Sequence, residues 1–195
     1  MPMLENFDFN NLPKIVDLVF PLWGAPDSSD DFNLIDVGYI VRNNIYKAEN
    51  SFQLRDSSGQ FLSAVFLEEF SDNNQADLWM EEKSKNFSDY QKYQLNLVKE
   101  YLHYMDNKTL SLMQKDDIKL SLFVSTKKGS GKPLLDKVFE MLKNKGYKNI
   151  YLWTDSDCNY EWYFNHDYTL LNREIYKPFT RENRIFETFI FKKEL

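Results

Sequence analysis

A loop with two glycines, between a strand and a helix, is the part of this 195-residue chain whose residue types could do chemistry. Residues 120–146 show strand alternation, then STKKGSG, then apolar residues at helical spacing. Gly129 and Gly131 allow a sharp turn and let a ligand approach the backbone closely. Free amide groups at a helix N-terminus attract anions, so this unit predicts a pyrophosphate site. The lysines that would add positive charge are Lys127, Lys128 and Lys132.

Two other phosphate-binding patterns do not fit the same residues. A nucleotide P-loop over this stretch would put Thr126 at its first glycine and Pro133 at its magnesium-binding hydroxyl. The dinucleotide pattern G-x-G-x-x-G starts well at Gly129 and Gly131 but meets Leu134 at its third glycine. Neither a P-loop nor a dinucleotide site is therefore predicted.

The loop resembles a motif of the GNAT-type N-acetyltransferases. Their acetyl-CoA loop lies between a strand and a helix and reads Gln or Arg, two residues, Gly, one residue, then Gly or Ala. The run at 126–131, followed by two leucines, is similar to it. Thr126 replaces the usual Gln or Arg, which puts that one contact in doubt.

A second match to the same family lies downstream, in YLWTDSDCNYEWYFNHDY. The family has a strand, an Asn and then a short helix with the pattern F-Y-x-x-x-G-F. Asn159 stands at the Asn, while Trp162 and Tyr163 stand at the first two aromatic positions. Tyr168 stands at the last, and Asp167 replaces the glycine, a residue type that tolerates left-handed backbone geometry. Two matches in the right order strengthen each other.

The resemblance implies one α+β domain over residues 1–195, of the three-layer type. A mixed, mostly antiparallel central sheet should be flanked by helices, with the strands that end at Val124 and Trp153 splayed apart. Acetyl-CoA is the implied cosubstrate, bound along those strands. The residues expected to bind it are Phe123, Val124, Lys127, Lys128, Gly129, Ser130, Gly131, Lys132, Asn159 and Tyr163.

The implied activity is transfer of an acetyl group from acetyl-CoA to a primary amine by direct attack in a ternary complex. An alkyl ammonium has a pKa of about 10.4, so a base must take its proton. Tyr163 matches the family tyrosine that protonates the leaving thiolate. Glu68 and Glu69, at the end of a predicted strand, are the candidate bases. Three alternatives stay open, namely Asp117, Asp155 and a water held by Ser121.

The same residues allow two other interpretations. Thr126 and Asp167 would also suit a non-catalytic module or sensor that binds acetyl-CoA or CoA in the same fold. Cys158 invites a nucleophilic role, but no histidine pattern supplies the base that a cysteine nucleophile needs. Direct transfer is therefore preferred to an acetyl-cysteine intermediate.

Composition limits the function classes. One cysteine excludes an internal disulfide, and two histidines, His103 and His166, lack ligand spacing, so no metal site is predicted. No apolar run is long enough to span a membrane, and the N-terminal stretch lacks the features of a signal peptide. We expect a cytoplasmic protein with no membrane partner.

Charge is unevenly distributed along the chain. Residues 1–90 carry 6 basic and 16 acidic side chains, a balance of −10, while residues 91–195 carry 18 and 14, a balance of +4. The acidic part favours a cationic amine acceptor, a small molecule or a peptide, over nucleic acid. A monomer or a homodimer is expected.

The remaining elements follow from periodicity and turn residues. A flexible connection is expected at 71–87, with a strand starting at 76–80. The other predictions are helices at 11–23, 30–47 and 88–113, the last broken at 106–108, a hairpin at 52–70, and strands at 168–176 and 185–191.

Overall fold

A seven-stranded mixed sheet organises the chain in the computed structural model, which describes residues 4–25 and 27–195. The strands are β1 (Leu4–Asn6), β2 (Ser51–Arg55), β3 (Phe61–Glu68), β4 (Asp117–Ser125), β5 (Asn149–Asp155), β6 (Thr169–Ile175) and β7 (Glu187–Glu194). Their order across the sheet is β1-β2-β3-β4-β5-β7-β6. β4 and β5 are parallel and all other neighbours are antiparallel, so the predicted fold class is confirmed.

Helices cover both faces of this sheet. They are α1 (Leu12–Trp23), α2 (Asp30–Asn43), α3 (Ala76–Lys83), α4 (Asp89–Leu110), α5 (Lys132–Asn144) and α6 (Glu161–Phe164). The apolar side of α5 packs on one sheet face, where Leu134 and Val138 join Ile118 and Ile150 in a buried cluster. Residues of α1, α2 and α4 form the clusters on the other face. None of the helices in the described ranges is long and apolar enough to cross a membrane.

Local sequence explains where the main helices begin. The Ser88 hydroxyl accepts from the backbone N–H of Gln91, and the Gln91 side chain accepts from the Ser88 N–H, a capping box that starts α4. The Ser29 hydroxyl caps α2 in the same way. Pro133 lies in the first turn of α5, where its missing N–H costs nothing.

The two central strands separate along their length. β4 and β5 pair only where Asp117, Ile118 and Lys119 lie opposite residues 149–151. β4 continues to Ser125 with its pairing to β3, and β5 continues to Asp155 with its pairing to β7. The carboxyl ends of the two parallel strands are therefore splayed, as expected, and a cleft opens between them.

Three expectations for the secondary structure were wrong. Residues 76–80 form part of α3, because Ala76 and Met80 share one buried helical face and Trp79 stacks on Arg42 of α2. α4 runs unbroken through residues 106–108. α2 ends at Asn43, four residues before the predicted end. β1 was not predicted, and it pairs with β2 over three residues.

A buried lysine lies where β4 and β5 part. Lys119 is 0% exposed, and its ammonium is ion-paired with Glu68 of β3 and Asp106 of α4. Trp153 Nε1 and Asn43 Nδ2 donate to Asp106 at 2.7 and 3.0 Å. Burial opposes the charge on Lys119, but the two carboxylates outweigh it and raise its pKa. The ammonium therefore holds a strand end, a helix and the branch point of the sheet together.

Removing this ammonium should destabilise the fold. Lys119→Ala leaves two buried carboxylates unpaired, and we expect a loss of about 3–5 kcal/mol in the free energy of unfolding by urea denaturation. The control is Lys148→Ala, which breaks an exposed pair with Asp116 at the start of the same strands and should leave the unfolding midpoint unchanged. Equal midpoints for the two variants would contradict the structural role of the triad.

Candidate functional site

A cavity of about 1310 Å³ occupies the cleft between the splayed ends of β4 and β5. Its walls come from both strands, from the glycine loop at 126–131 and the start of α5, and from α6. α1, α2 and α4 close its other side, together with the loop between β6 and β7. We call this cavity the cleft.

The glycine loop is held against β3 by two buried serines, Ser63 and Ser130. Ser130 Oγ donates to the carbonyl of Lys127 at 2.8 Å, while Ser63 Oγ of β3 donates to the carbonyl of Ser130 at 3.1 Å. Gly129 has φ +86°, a conformation that side chains rarely adopt. The described residues provide no hydrogen-bond acceptor for the backbone amides of Gly129, Gly131 and Lys132. The loop thus presents free amides at a helix N-terminus.

The Phe123 ring packs against the glycine loop at Gly131. A Cβ at Gly131 would lie 2.3 Å from the Phe123 ring, so only glycine fits there without movement of the ring. The Phe123 ring in turn faces Trp162 of α6 with centroids 6.3 Å apart. Lys132 pairs with Asp136 one turn along α5 at 2.7 Å. The loop therefore offers backbone amides next to an aromatic ring, while the ammonium of Lys132 is paired with Asp136.

Most residues expected to bind the cofactor line the cleft. Those that do are Phe123, Val124, Lys128, Gly129, Gly131, Lys132, Asn159 and Tyr163. Lys127 is exposed beside the cleft, and Ser130 is buried with its hydroxyl committed to loop contacts. Their binding roles stay predictions.

Tyr163 lies on α6 and faces the cleft from the side of β5. Its ring packs edge-on against Trp162 and Tyr168 at centroid distances of 5.3 and 5.1 Å. Burial, with a smaller effect of Cys158, raises the pKa of the Tyr163 hydroxyl well above its usual value. The hydroxyl therefore stays protonated at neutral pH. Asp167, at the end of this segment, has φ 62°, the left-handed geometry expected for it.

The sequence matches no family model and no curated protein, but its fold matches solved structures. An agmatine N-acetyltransferase superposes with a TM-score of 0.60 at 11% identity, over 100% of this chain and 99% of that one. A Drosophila melanogaster polyamine N-acetyltransferase gives 0.57 at 10% identity over 100% of both chains. An acetyltransferase described as of the GNAT family, from Staphylococcus aureus, gives 0.50 at 14% identity over 100% of this chain and 99% of that one. The chain has the GNAT fold.

Within this GNAT cleft, Cys158 is a poor nucleophile. Burial, helped by the nearby Asp155, raises the pKa of the Cys158 thiol to about 12. The thiol is protonated at neutral pH, and a thiol reacts only through its thiolate. The raised pKa argues against Cys158 as a nucleophile.

The two glutamates predicted as bases do not line the GNAT cleft. Glu68 is buried against Lys119 and reaches the cleft only through Ser121, whose Oγ lies 3.4 Å from its carboxylate. Glu69 accepts from Tyr147 Oη at 2.6 Å and from Lys47 Nζ at 3.2 Å. Their catalytic role stays a prediction.

The two other aspartates considered as bases are also engaged. Asp117 is buried and accepts from Asn149 Nδ2 at 2.6 Å. Asp155 lines the cleft, but Tyr101 Oη donates to one of its oxygens at 2.9 Å and the Asp157 N–H to the other at 3.0 Å. Their existing partners compete with any proton transfer.

Sequence reasoning missed the cleft residues of α2. Asp36, Ile40 and Asn44 recur every fourth residue and face the cleft from the helix and its C-cap. The available signal was an acidic residue inside the apolar stripe of a helix, a position that burial penalises. Aromatic rings line this side of the cleft, namely Tyr101, Trp153, Phe179 and Phe186.

Gly129 provides a matched test of the loop. Gly129→Ala and Gly59→Ala both force a side chain into left-handed geometry with open space around it, so each should cost about 1–2 kcal/mol of stability. Gly59 lies in the β2–β3 turn. We expect only Gly129→Ala to weaken acetyl-CoA binding, measured as the ligand-induced rise in Tm and by calorimetry. Equal affinity for the two variants would contradict a phosphate cradle at Gly129.

Proposed function

We propose that this protein is an N-acetyltransferase that moves an acetyl group from acetyl-CoA to a primary amine. The main support for this proposal is that three features line one cavity. They are the free amides of the glycine loop, the splayed strand ends and the hydroxyl-bearing ring of Tyr163. The solved structures with this fold include N-acetyltransferases for agmatine and for polyamines. Acetyl-CoA supplies an acyl group activated by a thioester.

The glycine loop would bind the pyrophosphate of this cosubstrate. The unbonded backbone amides of Gly129, Gly131 and Lys132 lie at the N-terminal end of α5, where the helix dipole adds positive potential. Lys128 lies at the same edge of the cleft. A polar backbone at the splayed edges of β4 and β5 would then hold the pantetheine chain and polarise the thioester carbonyl.

Tyr163 would protonate the departing thiolate. Its hydroxyl holds its proton at neutral pH, because burial raises its pKa, and it lies in the cleft beside Asn159. Charge develops on sulfur as the carbon–sulfur bond breaks, so a positioned donor lowers that barrier. Asn159 would help to hold the cofactor chain. Glu68 and Glu69 stay the sequence-based candidates for the base.

Tyr163→Phe tests the proton assignment. The variant keeps the ring and its packing but deletes the hydroxyl, so Tm and acetyl-CoA affinity should be unchanged. We expect kcat to fall by roughly 10² to 10⁴, the usual effect of a positioned general acid. Thiol release in steady state measures it, with Tyr160→Phe as the control. Tyr160 lies one helical turn earlier and stacks on Phe189.

A dependence on the leaving group makes this test specific. The defect of Tyr163→Phe should shrink with an acyl donor whose leaving thiol is more acidic, because such a thiolate departs without a proton. Full turnover of Tyr163→Phe with acetyl-CoA, while the chemical step limits the rate, would make Tyr163 a packing residue. Binding of acetyl-CoA without turnover of any amine would instead indicate a CoA-binding module.

The acceptor should be a cationic amine. Residues 1–90 carry the acidic excess, and they include α1 and α2, which form one wall of the cleft. Diamines should therefore have higher kcat/KM than monoamines of equal length, and added salt should narrow the difference by screening. Thiol-release assays over a matched series measure this. A best substrate with an anionic tail would contradict it.

A further inference from the structure

Asp36 is a cleft-lining carboxylate without a structural partner. Its side chain is 6% exposed, on the face of α2 that lines the cleft. Its Oδ1 has no hydrogen-bond partner anywhere in residues 4–25 and 27–195. A buried carboxylate oxygen without a partner is costly, so native structures nearly always satisfy it. An unpaired carboxylate in a cavity wall indicates a ligand whose hydrogen-bond donor enters the cleft.

The other carboxylates near the cleft lack this property. Both oxygens of Asp155 and of Glu69 accept hydrogen bonds from protein groups. Glu68 lies behind Ser121 in the ion pair with Lys119. Asp157 lines the cleft, but it is exposed and ion-paired with Arg184. Asp36 differs from all of these because it lies in the cavity wall and has a buried carboxylate oxygen that accepts no hydrogen bond from the described residues.

We propose that Asp36 binds the ammonium group of the acceptor amine and accepts its proton, acting as the general base of acetyl transfer. This inference rests on the proposed function. The aromatic side of the cleft, including Tyr101 and Phe179, would cover the carbon skeleton of the amine while the ammonium reaches the carboxylate.

The proton and the electron pairs can be followed through the step. Asp36 takes one proton from R–NH₃⁺, and the freed lone pair forms the carbon–nitrogen bond at the acetyl carbon. The carbon–sulfur bond breaks, and Tyr163 gives its proton to the thiolate. The nitrogen then loses its second proton, which restores Tyr163. The products are the amide, the free thiol and one proton, which Asp36 returns to solvent.

The environment of Asp36 suits a base near neutral pH. Burial raises the pKa of its carboxyl to about 7, with no neighbouring charge contributing. A base whose pKa lies near the working pH combines a useful ionised fraction with real proton affinity. The other titratable groups that line the cleft are Tyr101 of α4, Asp155 of β5, Asp157 and Cys158 after it, Arg181, Arg184, Lys128, Lys132, Tyr163 and His166. The cleft-lining residues of α1 and β4 are not titratable.

The burial of Asp36 also makes the stability of the folded protein depend on pH. The folded state keeps a proton on Asp36 at pH values where the unfolded chain has lost it, so this group lowers stability as pH rises from the ordinary carboxyl range to about 7. Asp36→Asn removes this effect. The variant should therefore melt above the wild type at pH 8, and the difference should shrink at pH 5.

Asp36→Asn decides the assignment when it is compared with Asp17→Asn, which removes an exposed charge from α1. We expect Asp36→Asn to lower kcat/KM for the best amine by roughly 10² to 10³ at pH 7 and to lose the rise in activity near pH 7. Asp36→Glu should recover part of the rate. Acetyl-CoA affinity should be unchanged in all three variants.

Two results would overturn the assignment while leaving the proposed function in place. One is an active wild type whose pH profile and kcat/KM are retained in Asp36→Asn. The other is an Asp36→Asn variant that melts below the wild type at pH 8, which would make the carboxylate a stabilising structural group. A wild type that binds acetyl-CoA but acetylates no amine would overturn the proposed function, and this assignment with it.

Discussion

The structure depends on a buried cation at the branch point of its sheet. Lys119 is the last residue of β4 that lies opposite β5, and its ammonium joins the ends of β3 and α4. Two buried carboxylates close together repel each other, so this positive charge is what allows Glu68 and Asp106 to occupy neighbouring interior positions. β4 and β5 pair up to this residue and diverge beyond it.

The two sides of the cleft carry different kinds of chemical group. The glycine loop offers main-chain amides over an aromatic floor made by Phe123. The opposite side offers aromatic rings and the carboxylate of Asp36. Main-chain amides suit a ligand with a fixed phosphate geometry, whereas side chains can vary with the acceptor. Under the proposed function, this division separates the binding of the cosubstrate from the binding of the acceptor.

Much of the fold could be predicted because the signals were local. The strand, loop and helix around Gly129 follow from alternation, turn residues and a proline at the helix start. α3 was not predicted because its apolar face is short and becomes recognisable only from its packing against α2. Asp36 was missed for a related reason, since no sequence pattern shows that an acidic residue in an apolar stripe faces a cavity. The role of Lys119 could not be predicted, because its partners Glu68 and Asp106 lie in segments that only the folded chain brings next to it.

The main-chain character of the loop has a consequence for how far the sequence can diverge. Every residue type but proline carries an amide N–H, so an anion cradle built from amides constrains side chains mainly where the backbone needs glycine. Substitutions elsewhere in the loop can accumulate without removing a single donor. Chains with this fold superpose over their whole length at 10% or 11% identity. The main-chain geometry of the fold is therefore retained where most side chains differ.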